Sequence, residues 1–290
     1  MSRYEHGMIT RFAPSPTGPL HLGHAYSAVL AYELAREAGG TFLLRIEDID
    51  RSRARQEWES LIYRDLHWLG LDWPVPVLRQ SERQRAYRDA LDGLWRRGLL
   101  YPCRCRRRDI AEASRAPQEG AGPIVGPDGI VYPGTCRNRP RRGFLPDDAL
   151  RLDMEKAVEI VETVSFIEDG RGSHGETGAF SISATHLIEH IGDIVLARRD
   201  MGTSYHLAVV LDDAAQAITH VVRGEDLFPA TAIHVLLQKL MNLPTPRYHH
   251  HRLIRDDSGK RLAKRDDARA ISKYRDDGVS PLEVRHMVGL

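Results

Sequence analysis

The stretch Met8-Ile9-Thr10-Arg11-Phe12-Ala13-Pro14-Ser15-Pro16-Thr17-Gly18-Pro19-Leu20-His21-Leu22-Gly23-His24 decides the fold. Residues 8–12 form a short apolar run of the kind that makes a buried strand. The Pro/Gly-rich loop after it cannot continue a ladder, because proline lacks the N–H and glycine favours turns. From Leu22 the pattern is helical to residue 38, and Gly39-Gly40 stops it. Residues 41–46 return to a β-branched, apolar strand. A strand that passes through a tight loop into a helix start, followed by a second strand, opens an α/β sheet.

The same alternation continues. A second helix is expected over 57–69. A third is expected over 81–98, capped by Ser81 with Gln84 three residues on. Its stripe of Tyr87, Leu91, Leu94 and Trp95 lies on one face and reads as core. Together these predict a parallel, doubly wound sheet. Residues 101–148 break the pattern, being rich in Arg, Pro and Gly, and read as an insertion. Regular signals resume with strand 194–197, a mainly apolar segment 205–212, strand 218–222 and helix 230–241.

Composition fits a globular chain: 290 residues, 42% hydrophobic and 28% charged. No apolar stretch approaches the roughly 18 residues of a membrane span. The first ten residues are polar and include Glu5, unlike a secretory leader, so a cytosolic protein is expected. The net charge of +1 makes no global demand for nucleic acid. Local arginine-rich runs at 96–108, 137–142 and 252–275 still permit a phosphate-tracking surface.

Two common nucleotide motifs are excluded. No Gly-Lys-Ser/Thr follows a glycine-rich turn. Gly170-Arg171-Gly172-Ser173-His174-Gly175 fits the spacing of a dinucleotide fingerprint, but Glu176-Thr177-Gly178 after it opens no helix, so it reads as a loop. The informative loop is the first. Its helix start offers unpaired N–H groups and partial positive charge to a phosphate. His21 and His24 share one helical face there, and Gly23 between them leaves room for a base or ribose. A second element lies near the other end: Gly259-Lys260-Arg261-Leu262-Ala263-Lys264-Arg265, whose cations suit a triphosphate. Either segment alone is more often an ordinary solvated surface.

As a pair they resemble the signatures of the class I aminoacyl-tRNA synthetases. His21-Leu22-Gly23-His24 matches the HIGH element. Arg261-Leu262-Ala263-Lys264-Arg265 is similar to KMSKS, with Arg261 for the first lysine and Ala263 for the serine. Arg11–Gly18, Leu44-Arg45-Ile46-Glu47-Asp48-Ile49-Asp50 and Val221-Val222-Arg223-Gly224-Glu225-Asp226-Leu227 resemble the glutamyl/glutaminyl subgroup. The resemblance runs from Arg11 to about Lys264 and is weakest between 143 and 190.

The resemblance implies a Rossmann-like parallel sheet with helices on both faces, split by a zinc-bearing insertion. It divides the chain into a first catalytic half (1–100), an inserted zinc-binding, acceptor-type subdomain (101–192), a second catalytic half (193–255) and a lysine loop with a short helical remnant (256–290). It implies that Arg11, Ala13, Ser15, Glu47, Tyr205 and Arg223 bind L-glutamate. A forked guanidinium suits the substrate's side-chain carboxylate and Glu47 its ammonium. His21, Gly23, His24, Arg261 and Lys264 would hold ATP with Mg2+, and His21, His24 and Lys264 would act on its phosphates. No side-chain nucleophile is needed, since the amino acid's carboxylate attacks the α-phosphate itself.

Cys103-Arg104-Cys105 and Cys136 are too few for a disulfide framework and crowded enough for zinc. Tyr132, four residues before Cys136, is not a usual ligand. Yet Cys-x-Cys with Tyr-x-x-x-Cys resembles the site of one subfamily, the glutamyl-queuosine tRNA(Asp) synthetases, where tyrosine completes a structural zinc site. Water or His174 is the alternative fourth ligand. The run His249-His250-His251 alternates faces on a strand and reads as strand and pocket residues. Only residues 266–290 follow the lysine loop, about 25 residues, too few for an anticodon-binding core. That subfamily resemblance implies a monomer that activates glutamate without tRNA and transfers it to the queuosine base at the wobble position of tRNA(Asp). The alternative is a truncated glutamyl-tRNA synthetase charging an acceptor end.

Overall fold

A computed structural model describes residues 7–114, 123–141, 143, 145–161, 163–255 and 269–290. Strand β1 (Ile9–Phe12) pairs in parallel with β2 (Thr41–Ile46), in register from Ile9↔Thr41 to Phe12↔Leu44. Strand β3 (Leu78–Arg79) lies parallel on the other side of β2. Helices α1 (Leu22–Glu37) and α2 (Gln56–Trp68) make the crossovers, and α3 (Gln84–Arg96) leads out of the sheet after β3.

The later strands His220–Gly224 and Arg247–His251 are parallel to each other, and Arg247–His251 is also parallel to Val164–Glu168. Gly178–Ile182 closes that edge in the antiparallel sense. Thr219 joins the two halves: its N–H donates to Ile9 O at 3.0 Å and its hydroxyl accepts from Ile9 N–H at 2.7 Å.

Strand side chains alternate between two cores, which is why helices cover both faces. Phe42, Leu44 and Ile46 face the core shared with α1, α2 and Val222. Leu43 and Val221 face the other, with α3, Tyr205–Ala215 and Thr231–Leu240. Helix α1 buries Ala25, Ala28, Ala31 and Ala35, small side chains that bring its axis close to the sheet. A fully buried leucine such as Leu44 or Leu236 contributes about 1.5–3 kcal/mol.

A separate antiparallel sheet is formed by β4 (Leu100–Cys103), Ala149–Leu152 and Val195–Ala197. Cys103 ends β4.

One local expectation changes. The third helix begins at Gln84, after a tight turn at Gln80–Glu82, and Ser81 does not cap it. The Asp48 carboxylate takes both the Ser81 hydroxyl (2.6 Å) and its N–H (2.7 Å), a charged acceptor outcompeting the helix end. The segment at 205–212 is helical, capped by Ser204. Residues 170–177 form a loop, as read from the sequence. Among the described residues no helix is long and apolar enough to cross a membrane.

Candidate active site

The site begins where β1 ends. His21 is the N-cap of α1: its Nδ1 accepts from Gly23 N–H, and His24 Nδ1 accepts from His21 N–H, both at 3.1 Å. The two histidines thus form a reciprocal cap, their rings 3.8 Å apart. A neutral ring that accepts at Nδ1 carries its proton on Nε2, so both rings are set as Nε2 donors. Gly23 serves this cap before any ligand: a Cβ there would lie 3.1 Å from His21 Cε1.

These histidines border a cleft of about 370 Å³. Of the residues expected to bind glutamate or ATP, Arg11, Ala13, His21, Gly23, His24, Glu47, Tyr205 and Arg223 all line it. Ser15 lines an adjoining cleft of about 1160 Å³ that shares Glu47, Tyr205 and Leu227 with the first. Arg261 and Lys264 lie outside the described residues. The segments on either side of theirs reach the cleft region: Leu253 and Ile254 line it, and Ala270 forms a β-bridge with His21. His251 is also a cleft residue, whereas His250 is buried behind it.

Under the cleft lies a buried ionic chain that sequence reading missed. Arg11 Nε and Nη2 donate to the two oxygens of Asp213 at 2.9 and 3.3 Å. Arg45 Nη1 donates to the same Oδ1 at 2.7 Å, and its Nη2 reaches Glu47 Oε1 at 3.2 Å. Burial alone would raise the Asp213 carboxyl, but Arg11 and Arg45 bring it below the ordinary range. Burial raises Glu47 above its range, opposed by Arg45 and Arg11. Glu47 is also fixed through its main chain, N–H to Pro14 O at 3.0 Å. The signal for Asp213 was present in the sequence: an Asp212-Asp213 doublet inside an otherwise apolar segment, where a carboxylate survives only if paired.

Arg223 enters from the end of the strand His220–Gly224. Its Nε donates to His250 Nε2 (3.0 Å), its Nη1 to His234 Nδ1 (2.9 Å), and its Nη2 to Leu227 O (3.2 Å) and Thr231 Oγ1 (2.9 Å). Four of its five N–H groups are therefore engaged among the described residues, leaving one on Nη1. Arg223 cannot grip a carboxylate as a fork by itself; it offers a single aimed donor. His250 is held in turn by Glu168, with Nδ1 to Oε2 at 2.5 Å.

The cysteines converge. The sulfurs of Cys103, Cys105 and Cys136 all lie within 4.8 Å of one another, and Cys105 and Cys136 are 3.5 Å apart. The Tyr132 hydroxyl sits 3.5 Å from Cys103 Sγ and 3.3 Å from Cys105 Sγ, and accepts from Cys136 N–H at 2.9 Å. Ligands on tetrahedral zinc with Zn–S of about 2.3 Å stand roughly 3.5–3.8 Å apart, close to the 3.3–3.5 Å separations found here. His174, the alternative fourth ligand, lies on the exposed loop and gives its N–H to Glu176. Arg151 lies over the Tyr132 ring at 3.9 Å and donates to Cys103 Sγ at 3.3 Å, a cation beside the thiols.

Comparison with known proteins places these features in a family. The model of tRNA synthetases class I (E and Q), catalytic domain, matches residues 7–132 and 174–290. The chain is 62% identical to the glutamyl-Q tRNA(Asp) synthetase of Rhodobacter capsulatus over 286 residues, covering 98% of this chain and 100% of that one. It is 41% identical to the protein of the same name from Nocardia farcinica, over 96% of this chain and 82% of the relative. Among solved structures it resembles a glutamate tRNA ligase from Elizabethkingia meningosepticum in complex with its amino acid, with a TM-score of 0.68 and 30% identity over 89% of this chain. It spans about half, 52%, of that ligase. The methionyl-tRNA synthetase of Mycobacterium tuberculosis shares the fold at 11% identity, with a TM-score of 0.58.

Proposed function

We propose a function from one premise: this chain belongs to the class I tRNA synthetases of the glutamate and glutamine group, and within it to the glutamyl-Q tRNA(Asp) synthetases. It is a ligase. In our reading it activates L-glutamate with ATP in the absence of tRNA and then transfers the glutamyl group to the queuosine base at the wobble position of tRNA(Asp).

The observation that carries the reading is the shared cleft, in which the His21–His24 cap faces Arg11, Glu47, Tyr205 and Arg223. Glu47 receives the substrate ammonium. Arg223, Arg11 and Tyr205 surround the side-chain carboxylate, while Ala13 and Ser15 shape the wall. One oxygen of the α-carboxylate attacks the α-phosphorus of ATP, the bond to the β-phosphate oxygen breaks, and pyrophosphate leaves. His21 and His24 donate from Nε2 to the phosphate oxygens where charge builds, an electrostatic role that needs no proton transfer. Mg2+ accompanies ATP. Gly23, Arg261 and Lys264 complete the nucleotide site on sequence grounds.

The adjoining larger cleft, continuous with the first through Glu47 and Tyr205, is the side from which the modified base approaches. Arg107, Arg198 and Arg199 on its wall suit the phosphates of an anticodon loop. Cys103, Cys105, Tyr132 and Cys136 would hold one Zn2+. Bound there, the ion supplies a structural cross-link within the inserted segment 101–192 and takes no part in the transfer. The division at 100, 192 and 255, the monomeric state and a cytosolic location belong to the same proposal.

The test is transfer of labelled glutamate to tRNA(Asp) with and without queuosine. Incorporation only into the queuosine-containing tRNA supports the reading. Incorporation into the acceptor end of glutamate tRNA instead would establish the truncated-synthetase alternative.

A further inference from the structure

Arg223 is the terminus of a hydrogen-bonded relay that runs out of the glutamate cleft. His234 Nδ1 faces Arg223 Nη1 at 2.9 Å, His234 Nε2 faces His206 Nδ1 at 3.0 Å, and His206 Nε2 faces Asp128 Oδ1 at 3.4 Å. Four separate elements contribute: the strand His220–Gly224, the helix Thr231–Leu240, the start of the helix Tyr205–Ala215, and the turn between Val125–Gly126 and Gly129–Ile130.

The direction of every bond in the relay is fixed by its ends. A guanidinium only donates, so His234 Nδ1 accepts and its proton sits on Nε2. That N–H donates to His206 Nδ1, which places the His206 proton on Nε2, directed at the Asp128 carboxylate. Burial, with the neighbouring Arg223 charge, holds His234 well below the ordinary imidazole range, so it stays neutral. Both histidines are buried, at 2% and 8% exposure, and a reversed ring would set N–H against N–H between them.

The consequence concerns the one Arg223 N–H that the described residues leave for a ligand. It shares the planar Nη1 with the bond to His234. Fixing one hydrogen of a planar nitrogen fixes the direction of the other. With His250, Leu227 and Thr231 holding the rest of the guanidinium, the His234 bond is the one that acts on the nitrogen whose second N–H meets the substrate.

We propose that His234 is a positioning residue for glutamate selectivity, with its tautomer locked by His206 and Asp128. This rests on the glutamate-activating function proposed above. Asp128 stands four residues before Tyr132, so the relay also ties the aim of Arg223 to the segment that carries the cysteine cluster.

The experiment is glutamate-dependent ATP–pyrophosphate exchange by the full chain and three variants. His234→Leu removes the acceptor and should raise KM for glutamate roughly tenfold or more, the effect of losing a hydrogen bond to a charged group. KM for ATP should stay within about twofold, and the preference for glutamate over glutamine should fall. His234→Asn places an amide oxygen near the position of Nδ1 and should recover most of the loss. A merely structural role would not order the variants this way, because a buried Asn is no better tolerated than Leu. Asp128→Ala, at a side chain 40% exposed, removes the acceptor at the far end without endangering the core, and should raise KM for glutamate severalfold. An unchanged KM for glutamate in folded His234→Leu, or equal impairment of the Leu and Asn variants, overturns the proposal. If neither His234 variant folds, an unchanged KM in Asp128→Ala overturns it. Absence of exchange by the unaltered protein would sink the activity itself, a result separable from these.

Discussion

Arg11 and Asp213, 202 residues apart in sequence, meet in a buried two-point ion pair, with Nε to Oδ1 at 2.9 Å and Nη2 to Oδ2 at 3.3 Å. Asp213 also takes Arg45, so a single carboxylate anchors two guanidiniums at the floor of the cleft. Such a pair contributes little relative to an apolar core, but breaking it leaves uncompensated charge.

Asp213→Ala should therefore destabilise the protein by about 3–5 kcal/mol at neutral pH, measured by urea denaturation. Because the folded-state Asp213 lies below the ordinary carboxylate range, its stabilisation is present above the unfolded value and disappears as pH falls through the folded one. The difference between wild type and Asp213→Ala should accordingly shrink in strong acid. A difference independent of pH would mean that the ion pair is not its source.

Glu47 has the opposite shift. Burial, partly offset by Arg45 and Arg11, raises it, so it loses its charge at a higher pH than an ordinary glutamate. If it receives the substrate ammonium, KM for glutamate should climb on the acid side beginning above the usual carboxylate range, with KM for ATP unmoved. Glu47→Gln should raise KM at neutral pH and abolish that limb. A limb that persists in Glu47→Gln would assign it to another group.

The cysteine cluster makes a metal-content prediction. The purified protein should carry about one zinc, and chelation should lower its stability through loss of the cross-link. Tyr132→Phe removes a hydroxyl within 3.3–3.5 Å of two sulfurs and should weaken zinc binding roughly tenfold. Native protein free of metal, or Tyr132→Phe with unchanged affinity, would contradict the four-donor assignment.

Arg223→Lys keeps the charge but replaces four directed N–H bonds with a point charge that cannot satisfy His250, His234, Leu227 and Thr231 together. Discrimination between glutamate and glutamine should drop by roughly tenfold or more, while ATP binding persists. Retained discrimination would shift the reading of the side chain to Arg11 or Tyr205.

Much of this was legible because local patterns and the site coincide in sequence. The β1–loop–α1 segment is contiguous, so the strand, the turn and both histidines could be placed from one reading, and Gly39-Gly40 marked the end of α1 within a residue. Pairings between distant segments were not legible. Asp213 for Arg11 and His234 for Arg223 come from elements whose packing the sequence does not state. The strand Val164–Glu168 hid in the stretch with the weakest pattern, although Val164 and Phe166 belong to the core. Ser81 shows a capping residue diverted by a tertiary carboxylate, Asp48, that no local rule contains.

The central claim is that one cleft holds glutamate beside the phosphates of ATP, and ATP–pyrophosphate exchange without tRNA tests it most directly. The expected result is exchange that requires glutamate, is not supported by glutamine or aspartate, and falls by roughly a hundredfold or more in His24→Ala, with KM for glutamate little changed. Exchange that proceeds equally without an amino acid, or that is indifferent to His24, would contradict it.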